Sequence, residues 1–345
     1  YVMFGAHTDS PNLKLKPSPV LKGSGTVRLG VEPYGGLLMN PWFDRDLGIA
    51  GRVAYRTNSG EIVEMNVDSR APVAIIPSLA IHLDREANKS RSVNPQTDLP
   101  ALIGCDEDFD FEKWIASLLQ KEGVEDFKRL LSHELSLYDT QNASYVGVAQ
   151  EFIASARLDN LLSCYVALLT IVTASPSHPY LMICSDHEEV GSESSSGAAG
   201  PFLENTLRRI AEDYEPFVQL CQRSMMVSCD NAHAQHPNYA SKHDPEHAPY
   251  INQGLVLKLN ANQRYASNSR TVSRFVLAAE LAGHPLQEFV TRSDMGCGST
   301  IGPITATRLG IETLDVGLPT YAMHSIRELA GTKDAFELYE ILLAL

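Results

Sequence analysis

The sequence predicts an α/β protein in which helices flank a central mixed, largely parallel sheet and a β-rich domain is inserted near the N-terminus. The chain has 345 residues, of which 44% are hydrophobic and 20% charged, a composition typical of folded chains and a length that favours about two domains. Between residues 13 and 77, short alternating apolar runs are separated by turn residues, as in antiparallel sheets. After Glu151, strand-like runs alternate with helical patterns, which is typical of crossover connections in a parallel sheet.

The first 147 residues divide into an opening strand and a β-rich insert. Residues 1–9 have the apolar character of a strand, and the turn sequences KGSG, YGG and NSGE separate the strands predicted over 13–77. Residues 109–135 are predicted to be helical, because apolar residues from Trp114 to Leu131 fall on recurring helical faces. The simplest organisation is a discontinuous α/β domain over 1–10 and 148–345, interrupted by a β-rich domain over 11–147.

The second half of the chain alternates helical and strand patterns in order. The cluster His236–Tyr250, rich in Pro and polar residues, is predicted to be a loop. Predicted helices cover Asn160–Ala174, Pro201–Tyr214, Arg270–Ala282 and His324 to the C-terminus; predicted strands cover Tyr180–Cys184 and Met225–Cys229, and further apolar segments lie at Leu286–Val290 and Ile311–Val316.

Charge and composition exclude several classes of protein. Lys and Arg total 28 against 42 Asp and Glu, so the net charge of −14 opposes binding to nucleic acid or anionic lipid. The longest strongly apolar stretch, Tyr165–Ala174, is about half of a membrane span. The 6 cysteines lack the C-x-x-C spacing, which favours a reducing, cytoplasmic location. Because the chain opens in the middle of a predicted strand, we expect an upstream segment to be missing.

Acids and histidines follow several of the predicted strands. In an extended segment His7 and Asp9 point to the same face, so one could bind a metal and the other support it, although a surface turn would also explain them. Glu188 and Glu189 follow the run Tyr180–Cys184, at the sheet edge where α/β proteins bind ligands. Two adjacent acids in a solvated loop would give the same pattern.

Three further candidates have simple structural explanations when each is taken alone. Asp230 follows the run Met225–Cys229 and Asp159 precedes a helical pattern, positions where Asp commonly caps helices or forms turns. His324 lies at the start of the predicted last helix, where a helix cap or a core histidine is the alternative. Counted together, however, these acids and histidines favour a functional site more than any one of them does alone.

Six segments, in this order, closely resemble those of the aspartyl aminopeptidases, a family of dinuclear zinc exopeptidases. The resemblance spans essentially the whole chain, and the joint occurrence of the segments is more specific than any one of them. The segments are GAHTDSPNLKLKP, ARLDNLLSCY, SDHEEVGSESSSGA, SCDNAHAQHPNYASKH, LKLNANQRYAS and YAMHSIRE.

The resemblance implies two zinc ions per subunit, with Co²⁺ or Mn²⁺ as substitutes, and a role for each residue of the site. Glu188 would be the general acid/base, accepting a proton from water and returning it to the departing amine. Asp9 would orient the His7 imidazole. The implied ligands are Asp159 bridging both ions, His7 and Asp230 completing one, and Glu189 and His324 completing the other.

The resemblance also implies a substrate and an assembly. Members of the family remove N-terminal Asp or Glu from peptides and form dimers that assemble into a tetrahedral dodecamer, with the β-rich insert as dimerisation domain. Lys258, with Tyr265 and His233 in the same pocket, would bind the acidic side chain, although a lone lysine on an edge strand is the alternative. His82 would reach the site of a neighbouring subunit, unless it is a core histidine.

Two other functions are consistent with the sequence. The first is a broader or neutral aminopeptidase of the same superfamily, against which Lys258 argues. The second is a non-catalytic assembly protein with structural zinc. A structural zinc site is normally closed, so an additional acid at Glu188 favours catalysis.

Overall fold

A β-rich unit interrupts an α/β unit in the computed structural model of the chain, which describes residues 1–175 and 179–345. The α/β unit consists of Tyr1–Ser10 and Ala143–Leu345, and the β-rich unit of Pro11–Asn142. Mixed sheets and helices confirm the predicted α/β fold class. The use of the β-rich unit for dimerisation stays a prediction.

The chain begins with strand β1 (Val2–His7) and then enters the β-rich unit, whose six strands form one antiparallel sheet. Its apolar residues alternate with polar ones, as a half-buried strand requires; Leu13 and Leu15 are buried, whereas Lys14 faces the other side. The elements are β2 (Asn12–Gly23), β3 (Thr26–Tyr34), β4 (Leu47–Arg56), β5 (Ile62–Asp68), α1 (Pro95–Asp98), β6 (Ala101–Gly104), α2 (Phe111–Lys121) and β7 (Arg129–Asp139). The strands lie in the sheet in the order β5-β4-β7-β2-β3-β6.

The helix predicted over 109–135 is wrong in its second half. Helix α2 ends at Lys121, and Gly123 adopts a left-handed φ of +87° that terminates the helical turn. Residues 129–139 instead form β7, which pairs along the length of β4. Long-range pairing therefore overrides the local helical spacing of the apolar residues near Leu130.

The α/β unit resumes with a short hairpin and continues through alternating strands and helices. Short 3₁₀ turns lie in this unit at Glu188–Val190 and Ala240–Lys242, and another lies in the β-rich unit at Asn40–Trp42. The elements are β8 (Ser144–Val146), β9 (Phe152–Ser155), α3 (Leu158–Thr173), β10 (Tyr180–Ser185), α4 (Phe202–Ala211), α5 (Tyr214–Arg223), β11 (Met225–Cys229), β12 (Ala232–His233), β13 (Leu255–Lys258), α6 (Ser269–Ala282), β14 (Leu286–Phe289), α7 (Ile301–Leu309), β15 (Glu312–Gly317), β16 (Pro319–Tyr321), β17 (Glu328–Gly331) and α8 (Asp334–Ala344).

The main sheet of this unit has the order β10-β1-β11-β15-β13-β14, and every pair except β15 with β13 is parallel. Its central strands are buried on both faces, as is usual for parallel sheets. Phe4 packs into one apolar cluster with Phe275 of α6, and the adjacent Met3 packs into another with Phe217 of α5. A second sheet, β12-β16-β17-β9-β8, lies in the same unit.

Three expectations for this half of the chain are corrected. His324 does not start the last helix: it lies in a turn between β16 and β17, and α8 begins at Asp334, because Glu328–Gly331 pairs with β9. The predicted helix at Pro201–Tyr214 ends at Ala211 and is followed by the unpredicted α5. Lys258 is not on an edge strand, since β13 lies between β15 and β14.

Among the described residues, no helix has both the length and the apolar character that a bilayer span requires.

Candidate metal centre

Three adjacent parallel strands bring most of the candidate residues to one edge of the main sheet. His7 is the last residue of β1, which lies between β10 and β11. Glu188 and Glu189 follow β10 in a short 3₁₀ turn, and Asp230 follows β11 directly. Because parallel strands end at the same edge, residues more than 200 positions apart become neighbours.

Asp159 and His324 reach the same edge from other elements of the α/β unit. Asp159 stands at the start of α3 with a non-helical backbone (φ −84°, ψ 107°). His324 has a left-handed backbone with φ of +66°, a conformation that is uncommon for residues other than glycine. Both side chains face the strand ends.

The two carboxylate oxygens of Asp159 lie next to different histidines. Asp159 Oδ1 is 3.5 Å from His7 Nε2, and Asp159 Oδ2 is 3.5 Å from His324 Nε2. On the first side, Asp230 Oδ1 lies 3.4 Å from His7 Nε2. On the second, Glu189 Oε2 lies 3.2 Å from His324 Nε2. Asp159 thus belongs to two ligand groups, one with His7 and Asp230 and one with Glu189 and His324.

The donor atoms fit metal ions. Within each group the potential ligand atoms lie within 4.8 Å of one another, and imidazole with carboxylate is a common zinc ligand set. Asp159 Oδ1 and Glu189 Oε1 are buried and accept no hydrogen bond among the described residues. A buried carboxylate oxygen without a donor is costly, and a bound cation would satisfy both atoms. Glu188 also forms a third possible group with His7 and Glu189.

The electrostatics of the site reflect the crowding of acids around two imidazoles. Burial, reinforced by the Asp230 carboxylate, raises the pKa of Glu188 to about 8. Burial lowers the pKa of His324, but its bonds to Asp159 and Glu189 outweigh this and raise that pKa to about 11. Although burial opposes it, the Lys258 ammonium holds the pKa of Asp230 well below its usual value. The site therefore attracts positive charge.

Asp9 contacts both His7 and the loop after β10. His7 Nδ1 lies 2.9 Å from the backbone oxygen of Asp9 and 3.5 Å from its Oδ1. The Asp9 carboxylate accepts the backbone N–H groups of Glu188 and Glu189, each at 3.1 Å. The orientation of His7 by Asp9 stays a prediction, and the Asp9 side chain also binds the backbone of the two glutamates.

Glu328 is the last residue of the segment YAMHSIRE and belongs to the site, although the sequence patterns do not predict it. It is 2% exposed. Its Oε2 accepts the backbone N–H of Asp159, and its Oε1 that of His324, both at 2.8 Å. The spacing of four residues between His324 and Glu328 is the sequence signal that could have indicated this contact. The other partner, Asp159, is 169 positions away, and no local pattern indicates it.

A cavity of about 430 Å³ opens onto these residues. Its wall includes Glu188 and the residues 298–300. Lys258, Tyr265 and His233 also line it. Lys258 is 3% exposed and donates from Nζ to Asp230 Oδ2 at 3.0 Å, and the same Nζ lies 5.6 Å from the centre of the Tyr265 ring.

His82 belongs to the β-rich unit and is not among the grouped ligands. It lies in a segment from Ser78 to Leu83 in which every residue is exposed. The alternative of a core histidine is therefore wrong.

Comparison with known proteins places the chain in a family. The family model described as aminopeptidase I zinc metalloprotease (M18) matches residues 1–344. The chain belongs to this family. The probable M18 family aminopeptidase 2 of Ectopseudomonas mendocina (strain ymp) is 53% identical over 345 residues, covering 99% of this chain and 80% of that protein. The family resemblance carried by the six segments is confirmed, and the chain is an M18 zinc aminopeptidase.

Solved structures agree with this M18 assignment. A chain of the complex of Ape4 and Nbr1, solved by cryo-electron microscopy, has a TM-score of 0.94 and 37% identity, covering 99% of this chain and 70% of that one. The M18 aminopeptidase of Thermotoga maritima has a TM-score of 0.85 and 26% identity, with coverage of 99% and 80%. The dodecamer of Saccharomyces cerevisiae mApe1 has a TM-score of 0.82 and 28% identity, with coverage of 99% and 78%.

Proposed function

We propose that this M18 aminopeptidase removes N-terminal residues, preferably Asp or Glu, from peptides with two zinc ions per subunit and Glu188 as general acid/base. The observation that carries the proposal is the division of the Asp159 oxygens between two histidines. A carboxylate shared by two ligand groups is the arrangement expected of a bridging ligand in a two-metal hydrolase. Co²⁺ or Mn²⁺ would substitute for zinc.

The proposed ligands would hold the ions, and the remaining residues would direct the reaction. His7, Asp230 and Asp159 would hold one ion; Asp159, Glu189 and His324 would hold the other. Bound zinc supplies Lewis acidity that polarises a carbonyl and acidifies water. Glu188 faces the cavity and would accept a proton from water and return it to the leaving amine. The Asp9 carboxylate would fix the backbone of Glu188 for that transfer.

The acidic preference is supported by Lys258, a buried cation in the cavity wall. One of its three N–H donors binds Asp230, so others remain to bind a substrate carboxylate. Tyr265 and His233 would line the same pocket. A neutral preference is the second candidate, because the pairing of Lys258 with Asp230 already compensates its charge without a substrate.

We further propose a homo-oligomer of dimers in a tetrahedral dodecamer, because the mApe1 structure is a dodecamer and because apolar residues are exposed around His82. Leu79, Ile81 and Leu83 are 59%, 49% and 75% exposed, and such stretches commonly lie in interfaces. His82 would then act at a neighbouring subunit. A cytoplasmic location stays a prediction.

Zinc titration of metal-depleted enzyme tests the function, with aminoacyl substrates bearing Asp, Glu or Leu. We expect activity to return at two zinc ions per subunit, with the largest kcat/KM on Asp and Glu. Restoration at one ion would contradict the two-metal mechanism. A higher kcat/KM on Leu would support the neutral preference. Assembly that depends on zinc without any peptidase activity would instead support the non-catalytic assembly protein.

A further inference from the structure

Glu328, the first residue of β17, connects the segments of Asp159 and His324 through its side chain, in addition to the pairing of β17 with β9. Its carboxylate accepts the N–H of Asp159 through Oε2 and the N–H of His324 through Oε1. Both bonds measure 2.8 Å, at the short end of the usual range for an N–H···O hydrogen bond. With 2% of its surface exposed, Glu328 has little contact with water, so these bonds are its main compensation for burial.

Both segments held by Glu328 depart from regular secondary structure. Asp159 precedes the regular part of α3, and His324 has a left-handed backbone with φ of +66°. Such a conformation persists only where its surroundings fix it. The hydrogen bond from the His324 N–H to Glu328 Oε1 restrains the backbone of His324. The hydrogen bond from the Asp159 N–H to Glu328 Oε2 restrains the backbone of Asp159 in the same way.

We propose that Glu328 is a positioning residue that sets the spacing of Asp159 and His324 for metal binding, an inference that rests on the ligand set proposed above. Glu328 belongs to none of the ligand groups found among the described residues, and each of its oxygens accepts a backbone N–H. Its role resembles that of Asp9, which joins Glu188 and Glu189 in the same way. Each acid thus fixes two backbone positions of the site.

Zinc affinity of the metal-depleted enzyme, measured by competition with a chromophoric chelator, tests the proposal. Glu328→Gln keeps the side-chain shape, but its amide nitrogen cannot accept the second N–H. We expect roughly a 10- to 100-fold loss of zinc affinity, the range found for residues that orient metal ligands. The absorption spectrum of the Co²⁺ form should change as well, because the ligand geometry changes.

Glu328→Asp separates position from charge. It keeps the carboxylate but is one methylene shorter, so it cannot reach both N–H groups as Glu328 does. We expect it also to lose zinc affinity, by several-fold or more. Wild-type affinity in Glu328→Asp, with a loss in Glu328→Gln, would assign the effect to charge and overturn the proposal. This variant also decides the matter if Glu328→Gln does not fold.

Asp334→Asn is the matched control. Asp334 is 0% exposed and accepts the N–H groups of Asn252 and Gly254 at 2.8 and 3.3 Å, but it touches no proposed ligand. We expect wild-type zinc affinity in this variant. An equal loss in Asp334→Asn and Glu328→Gln would show a general stability effect and overturn the proposal.

Asp159→Ala keeps this inference distinguishable from the proposed function. Wild-type zinc affinity in Asp159→Ala would reject the ligand set, and the positioning role with it. A loss in Asp159→Ala together with wild-type affinity in Glu328→Gln would reject the positioning role alone.

Discussion

At the scale of single residues, the site separates groups that would bind metal from groups that place them. The five proposed ligands converge through side-chain atoms, with Asp159 common to both groups. Asp9 and Glu328 contribute instead through bonds to backbone N–H groups. Residues outside the ligand groups therefore also determine the geometry of the site, because they hold the backbone of its residues.

Replacing Glu188 with Gln tests its assignment as acid/base rather than ligand. The amide cannot accept a proton, so we expect kcat to fall roughly 10²- to 10⁴-fold while the zinc content stays at the wild-type level. Metal analysis and single-turnover rates check this. Loss of zinc in this variant would instead support the third ligand group, in which Glu188 lies with His7 and Glu189.

Replacing Lys258 with Met tests the proposed acidic preference. Met retains the apolar volume but removes the ammonium, so the ratio of kcat/KM on Asp to that on Leu should fall by roughly one to two orders of magnitude. Zinc content is measured in parallel, because Lys258 also binds Asp230. An unchanged ratio in a zinc-loaded variant would reject Lys258 as the specificity residue.

At the scale of elements, close approach of two strands fixes the position of Asp230. A Cβ atom on Gly317, at the end of β15, would lie 2.2 Å from the backbone oxygen of Asp230. That distance is impossible without a backbone shift. Glycine at this position therefore lets β15 approach the segment that presents Asp230 to the site.

Gly317→Ala should consequently damage both the fold and the metal site. We expect a loss of stability of roughly 1–3 kcal/mol, as for overpacked interiors, and a weaker zinc affinity because Asp230 moves. Gly104→Ala in β6 is the control, since its Cβ would meet no atom within 4 Å. Denaturation midpoints and chelator competition measure the two effects. Wild-type zinc affinity in Gly317→Ala would show that Asp230 tolerates the shift.

Local sequence patterns predict a helix or strand correctly where burial and residue spacing indicate the same element. They fail where pairing with a strand that is distant in sequence determines the structure. The strands Tyr180–Cys184 and Met225–Cys229 were recognised because both faces of the parallel sheet are apolar. The local spacing predicts a helix at Leu130, whereas pairing with β4 makes this residue part of a strand. His324 was placed on a helix for the same reason, since pairing of β17 with β9 is not visible locally.

The candidate site was visible in the sequence to the extent that its residues follow strands or match the family segments. His7, Glu189 and Asp230 each lie at or after the end of a strand, and each belongs to one of the six family segments. The sequence does not predict the role of Glu328, because that role depends on the backbone N–H groups that its carboxylate accepts. One of these belongs to Asp159, which is distant in sequence. The division of the Asp159 oxygens is likewise a property of the folded chain alone.

At the scale of the whole molecule, buried acids outside the site make stability depend on pH. Burial raises the pKa of Asp334 to about 7, above the value of an unfolded Asp near 3.9. Ionisation is therefore harder in the folded state, so this residue lowers stability above pH 7, and the cost shrinks as pH falls toward 4.

Asp334→Asn removes that dependence. Relative to the variant, wild type should gain stability on the order of 2 kcal/mol between pH 8 and pH 5. Denaturation midpoints of both proteins across this range measure the difference. A wild-type protein that loses stability relative to Asp334→Asn on acidification would reverse the sign and show that Asp334 is stabilised as a carboxylate.

Assembly links the β-rich unit to the chemistry if His82 acts at a neighbouring subunit. His82→Ala and Glu188→Gln would then disable different halves of a shared site. Subunits of the two variants, mixed after dissociation and reassembled, should recover activity that neither has alone. For random pairing into reciprocal dimers we expect about a quarter of the wild-type rate, because half of the pairs are mixed and each holds one complete site. Recovery absent from mixed oligomers, with each variant fully zinc-loaded, would confine His82 to its own subunit and separate catalysis from assembly.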